Sequence, residues 1–258
     1  MGLDAFVYCR CWQDGRTTPC PVEPVGLDED GCLALLRQWE GNEAAHHKFD
    51  AWLAEACPHE AMEQASEHVS SWAGVRLFQQ ALRAAGEHRF PTLAAALPDA
   101  NGGSLPADRA AVVLAELDAI AGTDRITDEV ELIDEATGAV VMQYVEAYRG
   151  LFMFGPDFQA GVDPDGFFVL DRADPPATLF RAVRFGQRPL PGDRVELTAG
   201  GTRTVLAMRP VGTHGEPPPE RLAVRSRSRS GDDFAYIVEP LRRLCAASVA
   251  TGNPVMWF

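Results

Sequence analysis

Lysine is all but missing: Lys48 is the only one among 23 basic residues, the other 22 being arginines. Schiff-base or phosphate-binding lysine chemistry is therefore confined to one position, and the arginine bias is that of a GC-rich bacterial genome. No stretch approaches the roughly 18 uninterrupted apolar residues of a membrane-spanning helix. The opening Met1-Gly2-Leu3-Asp4 lacks the basic region and long apolar run of an export signal. The expectation is a cytoplasmic chain with no membrane partner. A CxxC pair, a G-x-S-x-G elbow and a P-loop are also missing, so the standard signatures of zinc knuckles, serine hydrolases and nucleotide cradles do not apply.

What is present is acid. The 258 residues carry 37 acidic and 23 basic side chains, a formal charge of −14, which opposes the phosphate neutralisation that general nucleic-acid binding requires. Residues 1–122 hold 18 acids against 8 bases, whereas residues 172–229 hold 11 arginines against 5 acids. Segregation of this kind means that the two regions pair within the fold or that one faces a charged ligand. With 46% apolar residues the chain has material for a substantial core. The expectation is one domain over 1–258, with a sub-boundary near residue 122 between a helix-rich acidic part and a strand-rich part.

Residues 5–12 read as a strand ended by Asp14-Gly15. Helical spacing then takes over: Ala45, Phe49, Trp52, Leu53 and Ala56 form one apolar stripe, a second helix follows Ser70-Ser71 and closes at Gly86, and a further helix runs over 106–121 with Ser104 as a cap. After Gly122 the pattern turns to strands, including a hairpin of 130–133 with 140–145, before a closing helix that ends at Thr251-Gly252. The layout predicts an α+β fold: a helix-rich N-terminal half packed on a mainly antiparallel sheet from the C-terminal half, with the N-terminal strand joining that sheet.

Four groups of residues are candidates for chemistry. Cys9 and Cys11 share one face of the expected strand, His46 and Asp50 share a helical face, and Cys57 and His59 lie just beyond that helix. These are ligands zinc prefers. Without a standard spacing, however, the sequence favours free thiols acting as small core hydrophobes. His59-Glu60-Ala61-Met62-Glu63 spells HExxE, but lacks the second histidine of a metalloprotease and reads better as a solvated helix face. Asn101, Gly102, Gly103 and Ser104 before a helix start could hold a small anion, although a plain turn explains them better. Arg225, Arg227 and Arg229 alternate with serines, which places three guanidinium groups on one strand face. Such a row suits a partner or anion, and pairing with Glu129 and Glu131 suits it better.

Two functional readings follow. The first is a non-enzymatic interaction module whose acidic first half meets a basic protein, for instance as the antidote to a cationic toxin. The alternative is a zinc-type or anion-binding enzyme acting on a small polar substrate through the N-terminal Cys/His residues.

Overall fold

Alternation is strongest at the N-terminus, and it yields the strand that organises the first part of the chain. In the computed structural model, which describes residues 2–28, 31–36, 43–86, 88–213 and 215–258, β1 (Gly2–Tyr8) buries Leu3, Ala5 and Val7 and leaves the residues between them half-buried. The short antiparallel pair β2 (Val25–Leu27) and β3 (Leu33–Leu35) follows, then helix α1 (Glu43–Glu55), which buries Ala45, Phe49 and Trp52. Next come β4 (Glu63–Ser71), α2 (Trp72–Ala85), α3 (Pro91–Ala96), β5 (Ser104–Leu105) and α4 (Ala107–Ala121). The apolar period of α2 carries Val75, Phe78 and Leu82 into the core. Its first turn is satisfied by Ser71, whose hydroxyl accepts the Gly74 N–H at 3.2 Å. Ser71→Ala should cost about 1 kcal/mol in a denaturant titration.

After Asp124 the chain enters a second compact unit, residues 125–229, and it returns to the first at Ser230. Within the second unit β6 (Thr127–Asp134) and β7 (Val140–Gln143) form a hairpin whose turn needs Gly138 at a φ of 74°. Strands β8 (Leu151–Phe154), β9 (Phe158–Asp163), β10 (Gly166–Asp171) and β11 (Thr178–Ala182) make an antiparallel sheet ordered β11-β10-β9-β8. Strands β12 (Arg184–Leu190), β13 (Arg194–Ala199), β14 (Thr202–Leu206) and β15 (Arg221–Arg229) join the hairpin in a six-stranded sheet, β14-β13-β12-β15-β6-β7. Phe167 is fully buried at the centre of this unit's core, stacked on Phe185 at 4.7 Å between ring centroids, with Phe180 edge-on to Phe185.

Back in the first unit, α5 (Ala235–Thr251) packs on α4, and β16 (Val255–Trp257) slots between β1 and β5 to give the order β4-β1-β16-β5. Helix α5 buries Ile237, Leu241, Leu244 and Cys245. Burial pushes the Cys245 thiol from 9.0 up to about 12. A folded-state value above the unfolded one means the folded protein holds the proton longer, so stability is intact below pH 9 and falls as pH rises towards 12. The slope from this group is about 1.4 kcal/mol per pH unit, and Cys245→Ala should flatten the alkaline limb of a stability–pH curve by that amount.

The expected α+β arrangement is overturned. Among the described residues sixteen strands in four sheets outnumber five α-helices. The first half of the chain does not form a helical layer on a sheet from the second half: it contributes five strands itself, and β1 pairs with β4 and β16 rather than with the strands of residues 125–229. The misreading has a physical cause. Sheet partner β4 reads Glu-Gln-Ala-Ser-Glu-His-Val-Ser-Ser, an edge strand with polar residues at most positions and therefore no apolar alternation to detect.

Candidate metal centre

Strand β1 stops at Tyr8, so Cys9 and Cys11 do not alternate on a strand as expected but sit at the entrance to a tight turn. That turn is closed by the Asp14 N–H donating to the Arg10 carbonyl at 2.9 Å and the Arg16 N–H donating to the Cys11 carbonyl at 2.7 Å. The Cys9 N–H donates to the Met62 carbonyl at 2.7 Å, which brings the segment after α1 alongside. Ala61 and Met62 take φ values of 49° and 58°, a left-handed conformation costly for side-chain-bearing residues. The reversal there carries His59 back over the sulfurs.

Cys9, Cys11, Cys57 and His59 converge so that one ligand atom from each lies within 4.8 Å of the other three. The Sγ atoms of Cys9 and Cys57 are 3.7 Å apart. The Nδ1 atom of His59 is 3.5 Å from Cys11 Sγ and 3.7 Å from Cys57 Sγ. A tetrahedron with Zn–S of about 2.3 Å and Zn–N of about 2.05 Å has S···S edges of about 3.75 Å and S···N edges of about 3.55 Å. Three of the six edges, at 3.7, 3.5 and 3.7 Å, agree with these values, and the other three lie within 4.8 Å. They are far from a disulfide, whose sulfurs are about 2.05 Å apart, and none of the six cysteines is in a disulfide.

The surroundings suit a closed site. Cys9 and Cys11 are each 2% exposed, Cys57 and His59 are half-buried, and Leu33, Phe49, Trp52, Ala56 and Met62 pack around them. Burial pushes the Cys9 thiol up to about 12, so without a cation it stays neutral. A bound divalent ion reverses that balance, because its charge stabilises the thiolate it ligates.

Asn253 is a residue that sequence reasoning missed. Buried at the end of α5, it donates through Nδ2 to the carbonyls of Tyr8 at 2.8 Å and Cys9 at 3.2 Å, while its Oδ1 accepts from Gln13 at 2.7 Å. One amide from the far end of the chain thus fixes the backbone leaving β1. The only signal in the sequence was a polar residue between the helix-ending Gly252 and Pro254.

The other candidates fall elsewhere. His46 and Asp50 lie exposed on α1 and are not part of the cluster. HExxE is not helical: Glu60–Met62 is a single 3-10 turn and Glu63 begins β4. Ser104 opens β5 and does not cap α4, whose N-cap position is Pro106. The loop Asn101, Gly102, Gly103 is the end of a sheet contact: the Gly102 N–H donates to the Trp257 carbonyl and the Gly103 carbonyl accepts from the Trp257 N–H, each at 3.1 Å. That leaves the Gly102 N–H committed to the sheet rather than to an anion.

The arginine row of β15 lies across from the acids of β6, Arg225 opposite Glu131 and Arg227 opposite Glu129. Arg225 Nε donates to Glu131 Oε2 at 2.8 Å, and Arg229 spans Glu129 Oε2 at 2.7 Å and Glu131 Oε1 at 3.0 Å. Glu131 is fully buried and Glu129 nearly so. Arg225 and Arg229 thus satisfy buried carboxylates inside the second unit.

No protein-family model, curated protein or solved structure matches this chain. No helix among the described residues is long and apolar enough to cross a membrane. The site therefore rests on its own geometry.

Proposed function

We propose that this is a zinc-binding protein in which Cys9, Cys11, Cys57 and His59 hold a structural ion. The observation that carries the reading is the convergence of four soft ligand atoms within 4.8 Å. Four protein ligands fill a tetrahedral shell, which is the arrangement of structural zinc, whereas a catalytic ion keeps a position for water. The ion would fasten the turn after β1 to the segment after α1, adding to the Cys9–Met62 and Thr18–Ala56 backbone bonds. The alternative of a zinc-type hydrolase loses support from the same geometry, because His59 takes the position a substrate would need. Reduced thiol ligands suit a cytoplasmic setting.

The role served by this fastened unit is, on our reading, non-enzymatic binding of a basic partner. The first unit holds 22 acids against 10 bases, a net −12, while the second holds 15 against 13, a net −2. Two arginines of the second unit, Arg225 and Arg229, are occupied with Glu129 and Glu131 of their own unit. Elemental analysis of the purified protein tests the metal reading: about one zinc per chain is expected, and cobalt substitution should give the absorption of a tetrahedral thiolate site. A chain that takes up no zinc after reduction contradicts it. Capture of a basic partner should weaken as salt rises.

A further inference from the structure

Between Cys11 and β2 the chain forms one wall of a cavity of about 430 Å³, whose lining includes Trp12, Thr18, Pro19, Glu23 and Val25, and Trp52 of α1 completes it. Two indoles and one carboxylate are the notable groups; among the described residues that line it, Glu23 is the only charged one. Arg16, which the chain passes in this stretch, is drawn to Asp14 at 2.7 Å. Trp52 is held in place by its Nε1 donating to the Thr18 carbonyl at 2.9 Å, and the Thr18 N–H in turn donates to the Ala56 carbonyl at 2.9 Å. Trp12, Val25 and Trp52 pack in the same apolar cluster as Cys9 and Cys11, so the cavity stands directly on the metal centre.

Tryptophan faces are the strongest aromatic partners for cations, and a carboxylate beside them adds a counter-charge. The chain uses the same chemistry internally, with guanidinium carbons 4.9 to 5.5 Å from the ring centroids of Trp72, Phe90 and Phe168. The volume suits a side chain or small molecule, and the unit around it carries the net −12. We propose that this cavity binds an organic cation, namely the guanidinium or ammonium end of a basic side chain, between Trp12, Trp52 and Glu23. The inference deepens the basic-partner reading and rests on it, while the metal reading stands apart.

The test is calorimetric titration of the zinc-loaded full chain with a capped Arg-Gly-Arg-Gly-Arg-Gly peptide, with its citrulline counterpart, and with free arginine amide. The arginine peptide should bind, the neutral isosteric citrulline peptide should bind at least about tenfold more weakly, and the Trp12 indole resonance should shift on titration. Glu23→Gln, at an exposed position, should weaken binding about threefold to tenfold and reduce its salt dependence; Trp12→Ala should weaken it about tenfold. Both variants should keep their zinc. If arginine amide matches the peptide, the cation comes from a small molecule, and if the peptide is much tighter, it comes from a protein; either supports the cavity. Equal binding of the citrulline peptide, no binding of any cation by a zinc-replete chain, or unchanged affinity in both variants overturns it. Cation binding by a chain that holds no zinc would uphold the cavity and reject the metal reading.

Discussion

Cys57→Ser should lose stoichiometric zinc and lower the melting temperature of the first unit by about 10 °C or more. The size follows from two magnitudes. A structural zinc site contributes roughly 10 kcal/mol or more of binding free energy in small zinc-dependent peptides, only part of which is expressed in a unit that also has a core of its own. If about 5 kcal/mol is expressed here, a chain of this size shifts by about 2–4 °C per kcal/mol. Chelation of the wild type should reproduce the shift, and re-addition of zinc should reverse it in the wild type only. Because Cys9 is buried as a neutral thiol, zinc uptake must expel its proton, so apparent zinc affinity should fall as pH falls. Differential scanning calorimetry with and without chelator reads the effect. A Cys57→Ser protein that melts with the wild type, both saturated with zinc, would show that Cys57 is not a ligand.

Arg229→Met should destabilise the second unit by about 3–5 kcal/mol, because it leaves buried carboxylates short of their counter-charge. The Arg229 side chain is 13% exposed and serves two acids, Glu129 at 3% and Glu131 at 0%. Glu131 retains Arg225, and Glu129 retains the Gln143 Nε2 donor at 3.1 Å. Neutralising one acid together with the arginine, as Glu129→Gln with Arg229→Met, should recover most of the loss, since Glu131 retains Arg225 and the main cost is a buried charge deprived of its counter-charge. Urea unfolding followed by a probe in residues 125–229 checks both. Equal stability of Arg229→Met and the wild type would mean that water reaches these carboxylates.

The sequence made much of the local structure readable. The alternating buried residues of β1, the Ser71-capped α2, the hairpin turn at Gly138 and the glycine after Thr251 all follow from short-range rules. The sheet partners did not, since pairing β1 with β4 and β16 joins residues 55 to 69 and 248 to 252 positions apart and leaves no local signature in a polar edge strand. The candidate site was legible in part for the same reason. Cys9, Cys11, Cys57 and His59 stood out as ligand types, yet the spacing C-x-C and C-x-H only becomes a site when a turn and a left-handed reversal fold the pairs together. His46 and Asp50 stand apart from the cluster. At about 100° per residue they point well away from the stripe of Ala45, Phe49 and Trp52 that α1 buries. The helix that faces its core with those three cannot also face it with these two.

The arginine row shows the converse. Alternation alone placed Arg225, Arg227 and Arg229 on one face, and the acids of β6 supplied the natural internal answer once register was known. The first unit carries an acidic surplus of its own, a net −12, and that surplus supports our reading of a surface for a cationic partner.

X-ray absorption at the zinc edge, on the full chain purified under reducing conditions, tests the central claim most directly. Three sulfur neighbours at about 2.3 Å and one nitrogen at about 2.0–2.1 Å are the expected shell. A shell of nitrogen and oxygen with one sulfur or none would place the ion elsewhere and contradict the Cys9, Cys11, Cys57, His59 site.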